Sequence, residues 1–375
     1  MPSSLTTRLL VVLCLLAWIL SVPQQLRAQN PLISDSLISF QVPGSRATYP
    51  LSINDAETIT GYSISSSGVS SGFVRYQDGQ IITFDVPGST ATIPVAINTA
   101  GFITGYYDRP STTPVVFNIP QGFVRTPEGK ITVFGNPVTT ASPGSFWAQP
   151  VTINVAGEIV GNYPDIALAS VVFLRSAAGA VLNFSLSLGS HFSTVATGLN
   201  AGGAIVGYAS SQSLNLAQGF LWSGQGTPPN PGGGFTPITV AGSTGTFPTG
   251  INAHGTIVGC YAAGGLYHYF VRARDGLLKT LYLPGTVPNC IATSTPGFIA
   301  VVPQPIFVND AGTIVGYTTN AAQNSTVFIR LEDGSASLFN YPGSMQTIPT
   351  SINNGNVITG YYSQGSAIAG FIREP

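Results

Sequence analysis

The chain has 375 residues, a formal charge of −1 and only 7% charged side chains, but 44 Gly and 28 Pro. With Arg8 and Arg27 of the N-terminal segment set aside, 11 basic and 14 acidic residues remain, mixed in sign, so there is no basic stripe for a nucleic acid. Beyond that segment no amphipathic stretch at a helical period is evident, and Gly, Ser, Thr, Pro, Val and Ile abound, as in short strands joined by tight turns.

Residues 1–28 read as an export signal. Arg8 precedes the 12-residue apolar run LLVVLCLLAWIL, and Ala28 offers a small residue for cleavage. The run is short of the roughly 20 residues a spanning helix needs, so no membrane span is expected after cleavage. No Cys stands at the cleavage point for a lipid anchor. The expected products are a short linker at 29–36 and one domain at 37–375, secreted, extracellular or periplasmic.

That domain opens on a lone β-run, LISFQVPGS at 37–45, and then repeats one phrase seven times. SINDAETITGYS, AINTAGFITGYY, TINVAGEIVGNY, GLNAGGAIVGYA, GINAHGTIVGCY, FVNDAGTIVGYT and SINNGNVITGYY carry their Asn at 54, 98, 154, 200, 252, 309 and 353. The spacing of 44 to 57 residues is in or near the range of a four-stranded propeller blade. Each copy reads as a hairpin: a run ends at Asn, which can bond its own backbone, and the fourth turn position wants positive φ. Gly101, Gly157, Gly203, Gly255 and Gly312 meet that demand, Asn356 tolerates it, and Glu57 departs from it.

A second hairpin follows in each unit, as in GFVRYQDGQIITFDVPG at 72–88, with Asp78-Gly79 at its turn and equivalents at Glu128-Gly129, Asp275-Gly276 and Asp333-Gly334. Every unit thus supplies four strands: A ending at the Asn, B (ITGYY), C (GFVR) and D (ITFDV). The chain closes on a lone C-type run, GFIREP at 370–375, which complements the lone D-type run at 37–45. The expected fold is all-β: a seven-bladed β-propeller of four-stranded antiparallel blades whose last blade is completed by the N-terminal strand, leaving few open edges. A monomer is expected.

The succession aromatic-V-R, D-G, F-D-V-P-G-S and I-N-x-x-G-x-I-V-G-Y, with QGFLW at 218–222, resembles the HAF-type extracellular repeat of secreted bacterial proteins. The resemblance covers nearly all of residues 37–375. It implies a secreted, propeller-like repeat protein and no particular activity.

Little in the sequence speaks for catalysis. GVSSG at 68–72 matches G-x-S-x-G, but that motif needs a strand-to-helix turn, and no helix is expected after Ser70. His191, His254 and His268 share no ligand spacing, and no metal or cofactor is expected. Arg75, Arg125, Arg175, Arg272, Arg330 and Arg373 hold one repeat position, and pairing with carbonyls or carboxylates inside each sheet explains it better than an anion site.

The position after the strand B glycine is occupied by Tyr62, Tyr106, Asn162, Tyr208, Cys260, Tyr317 and Tyr361, which in a propeller cluster near one rim. The long connections 108–120, 135–147 and 284–303 emerge on that face, and the 223–235 insert on the other. Two readings stay open: aromatic contacts to a ligand, or blade packing by good strand residues. The candidate ligand surface comprises Tyr62, Tyr106, Asp108, Arg109, Trp147, Tyr208, Tyr317 and Tyr361, for an extracellular glycan or protein. The alternative is an extracellular enzyme on this scaffold, such as a glycan hydrolase or lyase, which needs convergent groups such as Asp108, Glu158 and Asp165. Cys260 and Cys290 are expected on the same face of one sector, as a disulfide or as a buried thiol and a loop thiol.

Overall fold

The repeated phrase folds as an antiparallel hairpin in every copy. The computed structural model describes residues 36–108, 120–135, 148–164, 170–186, 193–211, 216–223, 234–282, 287–288, 290, 305–320 and 322–375, and no helix occurs among them. Strand A pairs with strand B as Ser45–Ile53 with Ile59–Ser65, Ala91–Ile97 with Ile103–Asp108 and Gln149–Ile153 with Ile159–Pro164. The pairing recurs as Ser193–Leu199 with Ile205–Ser211, Gly245–Ile251 with Ile257–Ala263, Ile306–Val308 with Ile314–Thr319, and Gln346–Ile352 with Ile358–Gln364. We number these units I to VII.

Strand C follows antiparallel to B in each unit, and a four-residue strand D pairs with C in units I to VI. In unit VII the partner of strand C (Ala367–Arg373) is Leu37–Phe40, with Leu37 opposite Arg373 and Phe40 opposite Gly370. The same N-terminal run leads directly into strand A of unit I.

The turns explain the recurring residues. At each A–B turn the Asn Oδ1 accepts the N–H four residues on at 2.8 to 2.9 Å. The fourth turn position has positive φ in every unit, including Glu57 (φ 55°) and Asn356 (φ 62°). Burial lowers the Arg75 pKa, and the nearby carboxylates of Asp78 and Glu57 oppose that shift, which gives Glu57 a partner. The V-P-G-S stretch is likewise a compact turn: Ser45 Oγ donates to the Val42 carbonyl and Thr48 Oγ1 accepts the Val42 N–H, a pattern repeated at Val240, Ser243 and Thr246.

The core lies between units. The strand C phenylalanines Phe73, Phe123, Phe173, Phe220, Phe270, Phe328 and Phe371 are all 2% exposed or less. Each such ring contributes about 1.5–3 kcal/mol by burial. Phe184 of unit III packs with Leu199 and Trp222 of unit IV. Phe40, Ile53 and Phe73 pack with Val357 and Ile372 of unit VII.

The strand C arginines stitch across the same seams. Arg75 lies over Phe40, Arg125 over Phe84, Arg175 over Phe134 and Arg373 over Phe339, at 4.8 to 5.3 Å from the ring centres. Arg75, Arg125 and Arg175 also donate to the carbonyl of the next residue. Their partners are thus carbonyls, as expected, together with a ring from the preceding strand D.

Candidate functional site

Strand A carries the feature that shapes the centre of the molecule. In units I to V and VII its register with strand B slips by one residue, so that Leu51, Val95, Val151, Thr197, Thr249 and Thr350 are bulged. A bulge re-aims its side chain. These six residues all line one cavity of about 400 Å³, joined in unit VI by Phe307 and Val308. Each bulged residue precedes by three positions the Asn of its A–B turn.

The seven asparagines form a closed cycle. Asn54 Nδ2 donates to the Asn98 carbonyl, Asn98 to Asn154, Asn154 to Asn200, Asn200 to Asn252, Asn252 to Asn309, Asn309 to Asn353 and Asn353 back to Asn54, at 2.9 to 3.2 Å. All seven are only 4–8% exposed. With Oδ1 satisfied in its own turn and Nδ2 in the next unit's, each buried amide is used at both ends, as burial requires.

Towards the other end of the strands stands the tyrosine series. The strand B glycine lies so close to strand A that a Cβ on Gly61, Gly105, Gly207 or Gly360 would strike the carbonyl oxygen of Tyr49, Ile93, Val195 or Ile348. That contact brings the next residue against the inner strand: Tyr62 faces Tyr49, Asn162 faces Gln149, Tyr208 faces Val195 and Cys260 faces Phe247.

The phenols are near neighbours of one another. Burial, then Tyr49 alongside, pushes the Tyr62 phenol up to about 12. Burial, followed by Tyr62 and Asp108, raises Tyr106 well above the usual phenol range, and burial, followed by Tyr317, Tyr49 and Tyr62, does the same to Tyr361. Tyr208 is pushed up to about 12 by burial alone, and burial also raises Tyr317. Asp108 is raised by burial as well.

The series is not uniform. Tyr49 stacks on Tyr62 at 4.8 Å and meets Tyr361 edge-on at 5.1 Å, filling the side of units VII and I. On the opposite side Tyr106, Asn162, Tyr208 and Cys260 line the cavity. Cys260 and Cys290 form a disulfide, with Cα atoms 6.2 Å apart, and both line the cavity too.

Of the residues singled out in the sequence, Tyr106 and Tyr208 therefore line the cavity, while Tyr62, Tyr317 and Tyr361 stand at equivalent positions around it. Arg109, Trp147, Asp165 and His191 lie outside the described residues. Asp108 ends strand B of unit II, whereas Glu158 accepts a hydrogen bond from Asn154 Nδ2 at the A–B turn of unit III, so these two carboxylates sit towards opposite ends of the strands. Ser70 begins strand C rather than a helix, and His268 stacks on Tyr261 at 5.0 Å. Among the described residues no three His, Cys, Asp or Glu gather to hold a metal, and no helix is long and apolar enough to cross a membrane.

The bulged positions were missed in the sequence, although a signal was present. Pro50, Pro94, Pro150, Pro248 and Pro349 interrupt otherwise regular strands one residue before five of the six bulges, unit IV having Ala196 there, and Pro in a strand marks an edge or a bulge.

No protein-family model and no curated protein sequence matches the chain. Solved structures do. A streptogramin B lyase matches with a TM-score of 0.55 at 12% identity, covering 91% of this chain and 98% of that one. A catalytically inactive virginiamycin B lyase of Staphylococcus aureus with quinupristin matches at the same TM-score and 13% identity, covering 91% of this chain and 100% of that one. A mutant puromycin hydrolase also matches at 0.55 and 13%, over 87% of this chain and 52% of that one. At such identities the likeness is one of fold. The fold is all-β and propeller-like.

Proposed function

We propose that the chain is a secreted seven-bladed β-propeller of the HAF-type repeat, closed by its N-terminal strand, that works as a binding scaffold. Its ligand enters the central cavity at the tyrosine-bearing end. Seven blades and closure are supported by the pairing of Leu37–Phe40 with the last strand and by the return of the asparagine cycle to Asn54.

One observation carries the functional reading. The cavity is about 400 Å³, within the size of small-molecule sites, and no acidic, basic or histidine side chain lines it among the described residues. Proton transfer to a bound molecule would fall to the phenols of Tyr106 and Tyr208, which burial keeps protonated, and the best-placed carboxylates, Asp108 and Glu158, do not converge. A shaped, uncharged cavity held by seven stitched units suits recognition.

The test is a binding screen of the exported protein against glycan, peptide and neutral small-molecule collections. Saturable binding is expected, and Tyr106→Phe with Tyr208→Phe, which keeps both buried rings, should weaken it with little change in melting temperature. Equal loss from substitutions at Asp55, Asp310 and Asn354, in the A–B turns, would move the site to the opposite face.

A further inference from the structure

The tyrosine series departs from its repeat in two places on the described side of the cavity, and the departures flank Tyr208. Asn162 stands where unit III would carry a ring. Its amide turns onto the neighbouring inner strand, donating from Nδ2 to the Ala196 carbonyl at 3.0 Å and accepting the Ala196 N–H at 2.8 Å. Among the described residues no ring therefore stands between Tyr106 and Tyr208. On the far side of Tyr208, at the Cys260 position, Phe247 fills the gap by meeting the Tyr208 ring edge-on at 5.2 Å. Among the described residues, one slot in the series is left without a ring, between Tyr106 and Tyr208 at Asn162.

The chemistry of the slot is specific. Tyr208 is 8% exposed and lines the cavity, yet its hydroxyl has no hydrogen-bond partner among the described residues, and the same holds for Tyr106. A phenol that lines the cavity with no partner among the described residues can donate to an acceptor on a ligand. Below the slot the wall is aliphatic, with Val95 and Val151 facing inward, and the hydroxyls of Thr197 and Thr249 already donate to the Pro248 and Ile306 carbonyls of the next units. Gln149, Ser52 and Ser351 add a few polar groups to the wall, and among the described residues nothing offsets a buried charge.

Resting on the binding reading above, we infer that the ligand is an uncharged small molecule with an aromatic apolar body and a hydrogen-bond acceptor oxygen. The body lies between Tyr106 and Tyr208 and extends down over Val151, and the oxygen accepts from the Tyr208 hydroxyl.

Three probes of one shape test this on the full exported chain by fluorescence quenching and calorimetry: benzophenone, its hydrocarbon counterpart diphenylmethane, and the anion 4-benzoylbenzoate. Benzophenone should bind saturably, more tightly than diphenylmethane by about five-fold, the worth of one hydrogen bond of ordinary strength. Tyr208→Phe should remove that preference while leaving diphenylmethane binding as it was. Val151→Trp and, as an independent blocking variant, Val95→Trp should each abolish binding of both neutral probes, with folding checked by melting. The anion should not bind. Equal binding of the anion, or a preference for benzophenone that survives Tyr208→Phe, would overturn the assignment. Saturable binding to glycans or peptides with none of the neutral probes bound would overturn it while sparing the scaffold reading. Silence from every class would remove both.

Discussion

At the scale of single residues, the chain economises on side-chain amides by giving each one two jobs. Asn98 Oδ1 holds the Phe102 N–H of its own turn, and Asn98 Nδ2 holds the Asn154 carbonyl of the next unit. Asn98→Ala leaves the Phe102 N–H without its acceptor and the Asn154 carbonyl with only the Gly157 N–H of its own turn, so equilibrium denaturation should show a loss of about 1–3 kcal/mol. A loss below about 0.5 kcal/mol would mean that the cycle is incidental. Half of this role was legible in the sequence, because an Asn at a turn advertises its local bond. The other half was not, since the partner carbonyl lies 44 to 57 residues away and nothing in one repeat names the next. The tyrosines behave similarly: their period announces a cluster, but only packing decides which are wedged and which line the cavity. Their burial has a consequence for pH. An unfolded phenol ionises near 10.0, while Tyr62 and Tyr208 keep their protons to about 12 when folded. Between those values the folded state binds more protons than the unfolded one, so this contribution is intact below pH 10 and is lost as pH rises towards 12. Tyrosinate absorbance should therefore include a late stage, in which the rim phenols ionise together with loss of the fold. A single smooth titration while the β-sheet circular dichroism stays unchanged would contradict it.

At the scale of elements, each strand is specified by what it meets in the neighbouring unit. Strand D is only four residues long and has exposed residues at its middle, yet it supplies the ring beneath the arginine of the following strand C. Arg125→Lys keeps the charge but loses the planar face over Phe84 and the geometry of the bond to the Thr126 carbonyl, and Lys is no substitute at a stacked site. A loss of about 0.5–2 kcal/mol is expected, and Phe84→Leu combined with it should cost less than the sum of the two changes taken singly. Strict additivity would show that the ring and the guanidinium do not interact. The arginine's preference for carbonyls could be read from its regular position in the sequence, whereas the ring could not, because it belongs to the previous repeat. The disulfide works on the same scale. It ties strand B of unit V to Cys290, 30 residues on, in the connection to unit VI. By the chain-entropy estimate such a loop contributes roughly 3–4 kcal/mol, so replacing both cysteines by Ala should lower unfolding stability by about that much. Unchanged stability would mean that the connection is already held by packing.

At the scale of the whole molecule, the closed ring proposed above makes stability depend on Leu37–Phe40 meeting the last unit. The seven units are similar enough that each could pair with its neighbours in an open array, but an array would leave an unpaired strand C at one end and an uncovered strand A at the other. In the proposed ring Leu37–Phe40 would cover both edges at once, because it pairs with Ala367–Arg373 and runs on into strand A of unit I. Phe40 is the residue on which this converges. It is 9% exposed, packs edge-on against Phe73 at 6.2 Å, lies under the Arg75 guanidinium and crowds Gly370 so closely that no Cβ would fit there. Phe40→Ala should therefore cost about 3–5 kcal/mol, as for other buried aromatics, while leaving one cooperative transition. Deleting residues 29–45 is a different perturbation, since it exposes two strand edges rather than one cavity. Aggregation or a broadened, multi-step melt is expected, because uncovered edges pair with other chains and units at the break unravel first. A truncated protein that melts in a single transition at the parent temperature would show that the N-terminal strand decorates the ring without closing it.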